Sequence, residues 1–211
     1  MDYLDILQDK TIIDRYDAIN KKINYVIDHG ILHTNHVVKN VEMICEVLDI
    51  EEQIRKLALI SAVLHDVGRL EDNKKHSEFG GEFSKEYLKN KLSADEISII
   101  VDAITHHDSK LFDFNSKNDV AWILFLADKI DNVRSRYIPE LITNESIQNL
   151  SYQIKSTHLS IYNKDLVFTI SLYTDDNSIF ETVKNSTQEI YTKFATHFGF
   201  DKAIIKKNYI K

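Results

Sequence analysis

The chain has 211 residues, 43% hydrophobic and 28% charged, with a formal net charge of −7. That length and apolar content suit one compact core with room for a small appendage. An acidic chain without a lysine or arginine block excludes a nucleic-acid polymer as the expected main partner, because phosphate-backbone binding rests on positive surface.

The start, "MDYLDILQDK", lacks the basic-then-apolar layout of a secretory signal. Residues 11–29 place Ile12, Tyr16, Ile19, Ile23 and Val26 at helical spacing, with Gly30 as the expected stop. A second helix, from about His33 to Leu48, carries the stripe Val37, Val41, Ile44, Leu48 and the chain's single cysteine, Cys45. One cysteine allows no internal disulfide, which fits a reducing cytosol. The third, from about Glu51 to Asp66, is apolar all round in "LALISAVL", as a central buried helix is. A fourth starts at His76 with Phe79, Phe83 and Tyr87 on one side, and a fifth opens with the capping box "SADE", Ser93 to Glu96. A sixth contains "VAWILFLADKIDNVRSRYI" and is expected to run to near Pro139, the one proline. Neither long apolar run approaches the ~20 residues that span a bilayer, so a soluble cytoplasmic protein without a membrane partner is expected.

The period then changes. "QIKSTHLSIYNKDLVFTISLYT" alternates and is rich in β-branched and aromatic residues, with "NKD" as the turn of a hairpin. Helical spacing returns through Ile179, Val183, Ile190, Phe194 and Phe198. The reading is mainly α: a helical metal-binding domain over residues 1–139, then a β-hairpin and closing helix over residues 140–211 packed on it.

Seven of the nine histidines lie between residues 29 and 107, at element ends or on inward stripes. His33 extends the stripe of Val37 one turn back, with His29 four residues before it and His36 three after. His65 and Asp66 end the buried helix, His76 begins the next, and His106 and His107 end the fifth. Asp128 sits inside "WILFLADK". A carboxylate at the end of an apolar helix is costly unless a cation meets it. Imidazoles and carboxylates converging from several helices make the mixed shell that iron, manganese, nickel or zinc accepts, and a carboxylate can bridge two such ions.

"HTNHV", "ALISAVLHDVGRL" and "LFLADKID", in this order and spacing, resemble the HD superfamily of metal-dependent phosphohydrolases over about residues 29–136. The resemblance implies a helical bundle in which His33, His65, Asp66 and Asp128 hold one divalent ion, with Asp66 able to bridge to a second. "HSEFGGEF" and "THHD" are similar to the two-ion members, the HD-GYP phosphodiesterases and bacterial diadenosine tetraphosphate hydrolases. They imply that His76 and either His106 or His107 hold the second ion, although no Gly-Tyr-Pro follows "THHDSKLFDF". In cyclic nucleotide phosphodiesterases of this superfamily a histidine one turn before the first ligand protonates the leaving oxygen, a role whose spacing His29 has. Arg69, just past "HDVG", suits a bidentate phosphate contact, with Lys129 and His36 as further substrate contacts. The alternative for Arg69 is a loop ion pair with Glu71 or Asp72. The expected activity is hydrolysis of a small nucleotide-like phosphate ester or anhydride by a metal-activated hydroxide, with Asp66, Arg69 and His29 as catalytic groups. The rival readings are a non-catalytic nucleotide-binding sensor and a di-metal HD-type oxygenase.

Overall fold

A computed structural model describes residues 1–22 and 26–208. It is mainly α, with a small sheet near the C-terminus, and divides into two compact units, Met1–Lys129 and Ile130–Lys211. Among the described residues, no helix is long and apolar enough to cross a membrane.

In the first unit, α1 (Tyr3–Leu7) is capped by Asp2 and α2 (Lys10–Lys22) buries Ile12, Tyr16 and Ile19, the stripe its spacing predicts. The expected continuation to residue 29 fails: Ile23 lies outside the described residues, and residues 26–30 are not helical. Gly30 is not a stop but the N-cap of α3 (Ile31–Val47). The Asn20 side chain of α2 fills the space a Cβ at Gly30 would take.

α4 (Glu52–Leu64) buries every residue from Leu57 to Leu64 and is the central helix of this unit. His65 follows it, and Asp66 leads into a 3-10 turn over Val67–Leu70. α5 (His76–Leu88) and α6 (Ala94–Thr105) follow, and α6 carries the expected Ser93–Glu96 capping box. α7 (Asp119–Ile130) stops well before Pro139. Asp131 and Asn132 break it, since short polar side chains compete for the backbone hydrogen bonds a helix needs. Val133 is extended, and Arg134–Arg136 make only one 3-10 turn.

The second unit continues through a 3-10 turn, Pro139–Leu141, and the short helices α8 (Asn144–Gln148) and α9 (Leu150–Gln153). The hairpin is as expected: β1 (Ile154–Tyr162) and β2 (Asp165–Leu172) pair antiparallel, with Asn163 at φ 55° in the turn. α10 (Asn177–His197) stacks Tyr191 on Phe168 of β2, ring centroids 3.9 Å apart. Beyond it lies an unforeseen strand, β3 (Lys202–Asn208), parallel to β2 in the order β1-β2-β3. Its "AII" is a short apolar run between lysines, too brief to declare a strand. A parallel neighbour needs a crossover, and α10 is that crossover.

Candidate metal centre

Five helix ends of the first unit supply the cluster. His33 lies in the first turn of α3, His65 and Asp66 follow α4, His76 opens α5, His107 follows α6, and Asp128 is in the last turn of α7. Glycine lets these ends meet. A Cβ on Gly68 would fall well inside 3.0 Å of two backbone atoms, the His76 carbonyl oxygen and the Gly80 nitrogen. A Cβ on Gly80 would sit 3.2 Å from the His65 carbonyl oxygen. The missing side chains therefore hold α5 flush against the His65–Asp66 turn.

Asp66 is at the centre, 1% exposed, and its two oxygens face different histidines. Oδ2 lies 3.7 Å from both His33 Nε2 and His65 Nε2. Those two nitrogens are 3.1 Å apart, and Asp128 Oδ1 is 3.3 Å from His33 Nε2. Oδ1 lies 3.5 Å from His76 Nε2 and 3.7 Å from His107 Nε2, which are 3.2 Å from each other. One carboxylate thus joins two sets of ligand atoms: His33, His65, Asp128 and Oδ2 in one, His76, His107 and Oδ1 in the other.

Backbone carbonyls orient the rings. His65 Nδ1 donates to Ala62 O at 2.8 Å, His76 Nδ1 to Asn73 O at 3.0 Å, and His107 Nδ1 to Ile104 O at 2.6 Å. A carbonyl can only accept, so each ring carries its proton on Nδ1 and turns the Nε2 lone pair into the cluster. Burial, the largest influence, pushes the His65 ring down to about 3 and the His76 ring down to about 4, so both are neutral near pH 7. Burial alone lifts the Asp66 carboxyl, but the Arg69 guanidinium leads the influences that outweigh it and hold the group well below the usual carboxylate range. Burial likewise opposes ionisation of Asp128, and Lys129, then His33, override it.

The His76 and His107 lone pairs meet Asp66 Oδ1, a buried oxygen that has no hydrogen-bond partner among the described residues. Apart from the Arg69 nitrogen 3.4 Å from His76 Nε2, these are acceptors facing acceptors, a convergence that fits a cation, and the nitrogen and oxygen set suits a divalent transition metal.

The structure separates the paired histidines of "THHD". His107 is in the cluster, whereas His106 is 45% exposed and its Nδ1 turns back to Asp102, 2.9 Å from the carbonyl oxygen and 3.0 Å from Oδ1. Neighbouring residues at a helix end point in different directions, so only one of the two reaches the centre, and His106, contrary to expectation, lies outside the set of ligand atoms. His29 does reach it: Nδ1 is 3.2 Å from Asp66 Oδ2. His36, one turn along α3 from His33, belongs to none of the sets of ligand atoms lying within 4.8 Å of one another.

Arg69 does not make the alternative loop pair with Glu71 or Asp72. Its Nε lies 2.7 Å from Asp66 Oδ2, one terminal nitrogen donates to Asn73 Oδ1, and the other is 3.4 Å from His76 Nε2. Glu71 is taken by Arg15 of α2, and Asp72 Oδ1 accepts from the amides of Lys74 and Lys75. Lys129 Nζ sits 2.8 Å from Asp128 Oδ2. One contributor was not read from the sequence. Asp28, 7% exposed, accepts the His33 backbone N–H at 2.9 Å and supplies the side-chain cap that Gly30 cannot. An aspartate a few residues ahead of a helix start was the available signal.

Together these features define a helical domain built around a histidine and aspartate cluster that could hold a metal ion. Residues 30–133 match the family model of the HD domain, and this part of the chain is an HD domain. The match begins just after Asp28 and His29 and includes His33, His65, Asp66, Arg69, His76, His107, Asp128 and Lys129. Among solved structures, the chain is similar to the crystal structure of a predicted HD superfamily hydrolase from an uncultured Thermotogales bacterium. The two are 23% identical with a TM-score of 0.43, over 57% of this chain and 67% of that one. No curated protein matches.

Proposed function

We propose that this chain is a two-ion phosphohydrolase acting on a small, nucleotide-like phosphate ester or anhydride. The observation that carries this reading is the Asp66 carboxylate, whose two oxygens address two separate histidine pairs. His33, His65, Asp66 and Asp128 would hold one ion, and His76, His107 and Asp66 the other. When bound, such ions lower the pKa of water and stabilise charge on phosphoryl oxygens.

The chain's own residues do the rest. Backbone carbonyls fix the direction of Nε2 in His65, His76 and His107, so these ligands are set before metal arrives. Arg69 is 12% exposed at the edge of the cluster, and its guanidinium fork fits two oxygens of a tetrahedral anion. Its hold on Asn73 fixes the plane of that fork. His29 is 20% exposed beside Asp66 and would protonate the leaving oxygen. Lys129 keeps Asp128 ionised and adds a cation near the first ion position.

The test is elemental analysis of protein purified without chelator, followed by phosphate or nucleotide release from a panel of nucleotides and a chromogenic phosphodiester. Two ions per chain and metal-dependent release are expected. A fully loaded protein that turns over no phosphate compound while consuming dioxygen would overturn the reading in favour of an oxygenase.

A further inference from the structure

Among the described residues, β1 is an edge strand whose one partner in the sheet is β2. The two-residue turn at Asn163 and Lys164 makes Tyr162 and Asp165 a hydrogen-bonded pair, and such pairs alternate along an antiparallel ladder. His158, Ser160 and Tyr162 therefore aim their backbone groups at β2, while Thr157, Leu159 and Ile161 aim theirs away. Among the described residues, no backbone hydrogen bond from outside the ladder reaches these last three.

Natural sheet edges are guarded by charge, proline or brevity. The other edge, β3, follows that rule with Lys202, Lys206 and Lys207. β1 does not: it runs for nine residues without proline, its one lysine stands near the start, and Ile161 and Tyr162 are 45% and 62% exposed near its end.

We propose that β1 pairs antiparallel with β1 of a second copy of this chain, joining the two sheets into one. A two-fold axis through Leu159, perpendicular to the sheet, fixes the register. Leu159 faces the partner's Leu159, Thr157 faces the partner's Ile161, and His158 faces the partner's Ser160. All three outward-aimed residues of each copy then exchange both backbone hydrogen bonds. Charge is compatible, because Lys155 stands across from the partner's Asn163 and no like charges meet. The neighbouring registers are poorer. A slip of two residues one way sets Thr157 against the turn at the partner's Asn163. The opposite slip sets Ile161 against the partner's Lys155, where β1 is irregular between Ile154 and Ser156. Pairing also covers Ile161, which lies on the same face as Leu159 and its neighbour Phe168.

Light scattering on the full chain over a concentration series tests this, with a reversible dimer as the expected result. Ile161→Lys puts a cation diagonal to the partner's Lys155 and should raise the dimer dissociation constant at least about tenfold, with the helical circular dichroism unchanged. A His158→Cys/Ser160→Cys double variant places cysteines across the interface with Cα atoms about 4.5 Å apart, within disulfide reach. It should form a covalent dimer on mild oxidation, whereas His158→Cys alone should not; native Cys45 is buried. A chain that stays monomeric at every concentration, a dimer indifferent to Ile161→Lys, or equal crosslinking by His158→Cys alone overturns the proposal.

Discussion

Gly68→Ala should uncouple the second ion position from the first. A Cβ here would lie inside 3.0 Å of the His76 carbonyl oxygen and the Gly80 nitrogen, and 2.9 Å from the Phe79 carbonyl carbon. All three are backbone atoms of α5 that no rotamer change can move. Ordinary contact begins near 3.4 Å, so the start of α5 must retreat by about 1 Å. Metal sites tolerate only about 0.2 Å in ligand distance, so His76 leaves its place opposite Asp66 Oδ1. His33, His65 and Asp128 come from other helices and stay. Overpacking of this kind costs about 1–3 kcal/mol, which for a chain this long lowers the melting temperature by about 2–12 °C. Metal content should fall from two ions to one, with most turnover lost. Gly81→Ala is the control, because the closest atom there is the Thr105 hydroxyl oxygen, the end of a side chain that can rotate. Equal metal content and melting temperature in Gly68→Ala and the parent would refute the close approach on which the second position depends.

Asp66→Ala should abolish binding of both ions and all turnover while the circular dichroism stays helical. His107→Ala should cost one ion by elemental analysis, whereas His106→Ala should leave metal content and kcat/KM near those of the parent. Arg69→Lys keeps charge but loses the fork; kcat/KM should fall about tenfold or more with metal content unchanged, since a lost charge-assisted contact costs about 1.5–3 kcal/mol. In metal-free protein, acid should destabilise the fold well above the carboxylate range. His65 and His76 stay neutral when folded, down to about 3 and about 4, while their unfolded rings protonate below the ordinary value of 6.5. The unfolded chain therefore binds more protons in that window, and stability falls as pH drops from about 6.5 towards 4. Urea melts at stepped pH, with flat stability across that window as the contrary result, check this.

The centre was legible where a charge stood against its surroundings. Asp66 after "LALISAVL" and Asp128 within "WILFLADK" had to meet a cation or a strong partner, and both do. Spacing placed His33 inward because one helical face is fixed by Val37 and Val41. Spacing could not choose between His106 and His107, since the choice depends on how the chain leaves α6. Arg69 followed its nearest strong acceptor in space, Asp66, because Arg15 had taken Glu71 from a helix far away in sequence. Asp28 was hidden for a similar reason: its role depends on where α3 starts, and Gly30 reads as a stop as readily as a start. In the second unit, the alternation of β1 and β2 announced the hairpin. β3 owes its state to pairing with β2, a long-range contact that short patterns do not encode.

The most direct measurement is an anomalous difference map from crystals grown with manganese. Two peaks about 4 Å apart are expected, one among His33, His65 and Asp128, the other between His76 and His107, with an oxygen of Asp66 on each. A single peak beside His33 and His65, with His76 and His107 turned away from metal, would contradict the bridging role of Asp66.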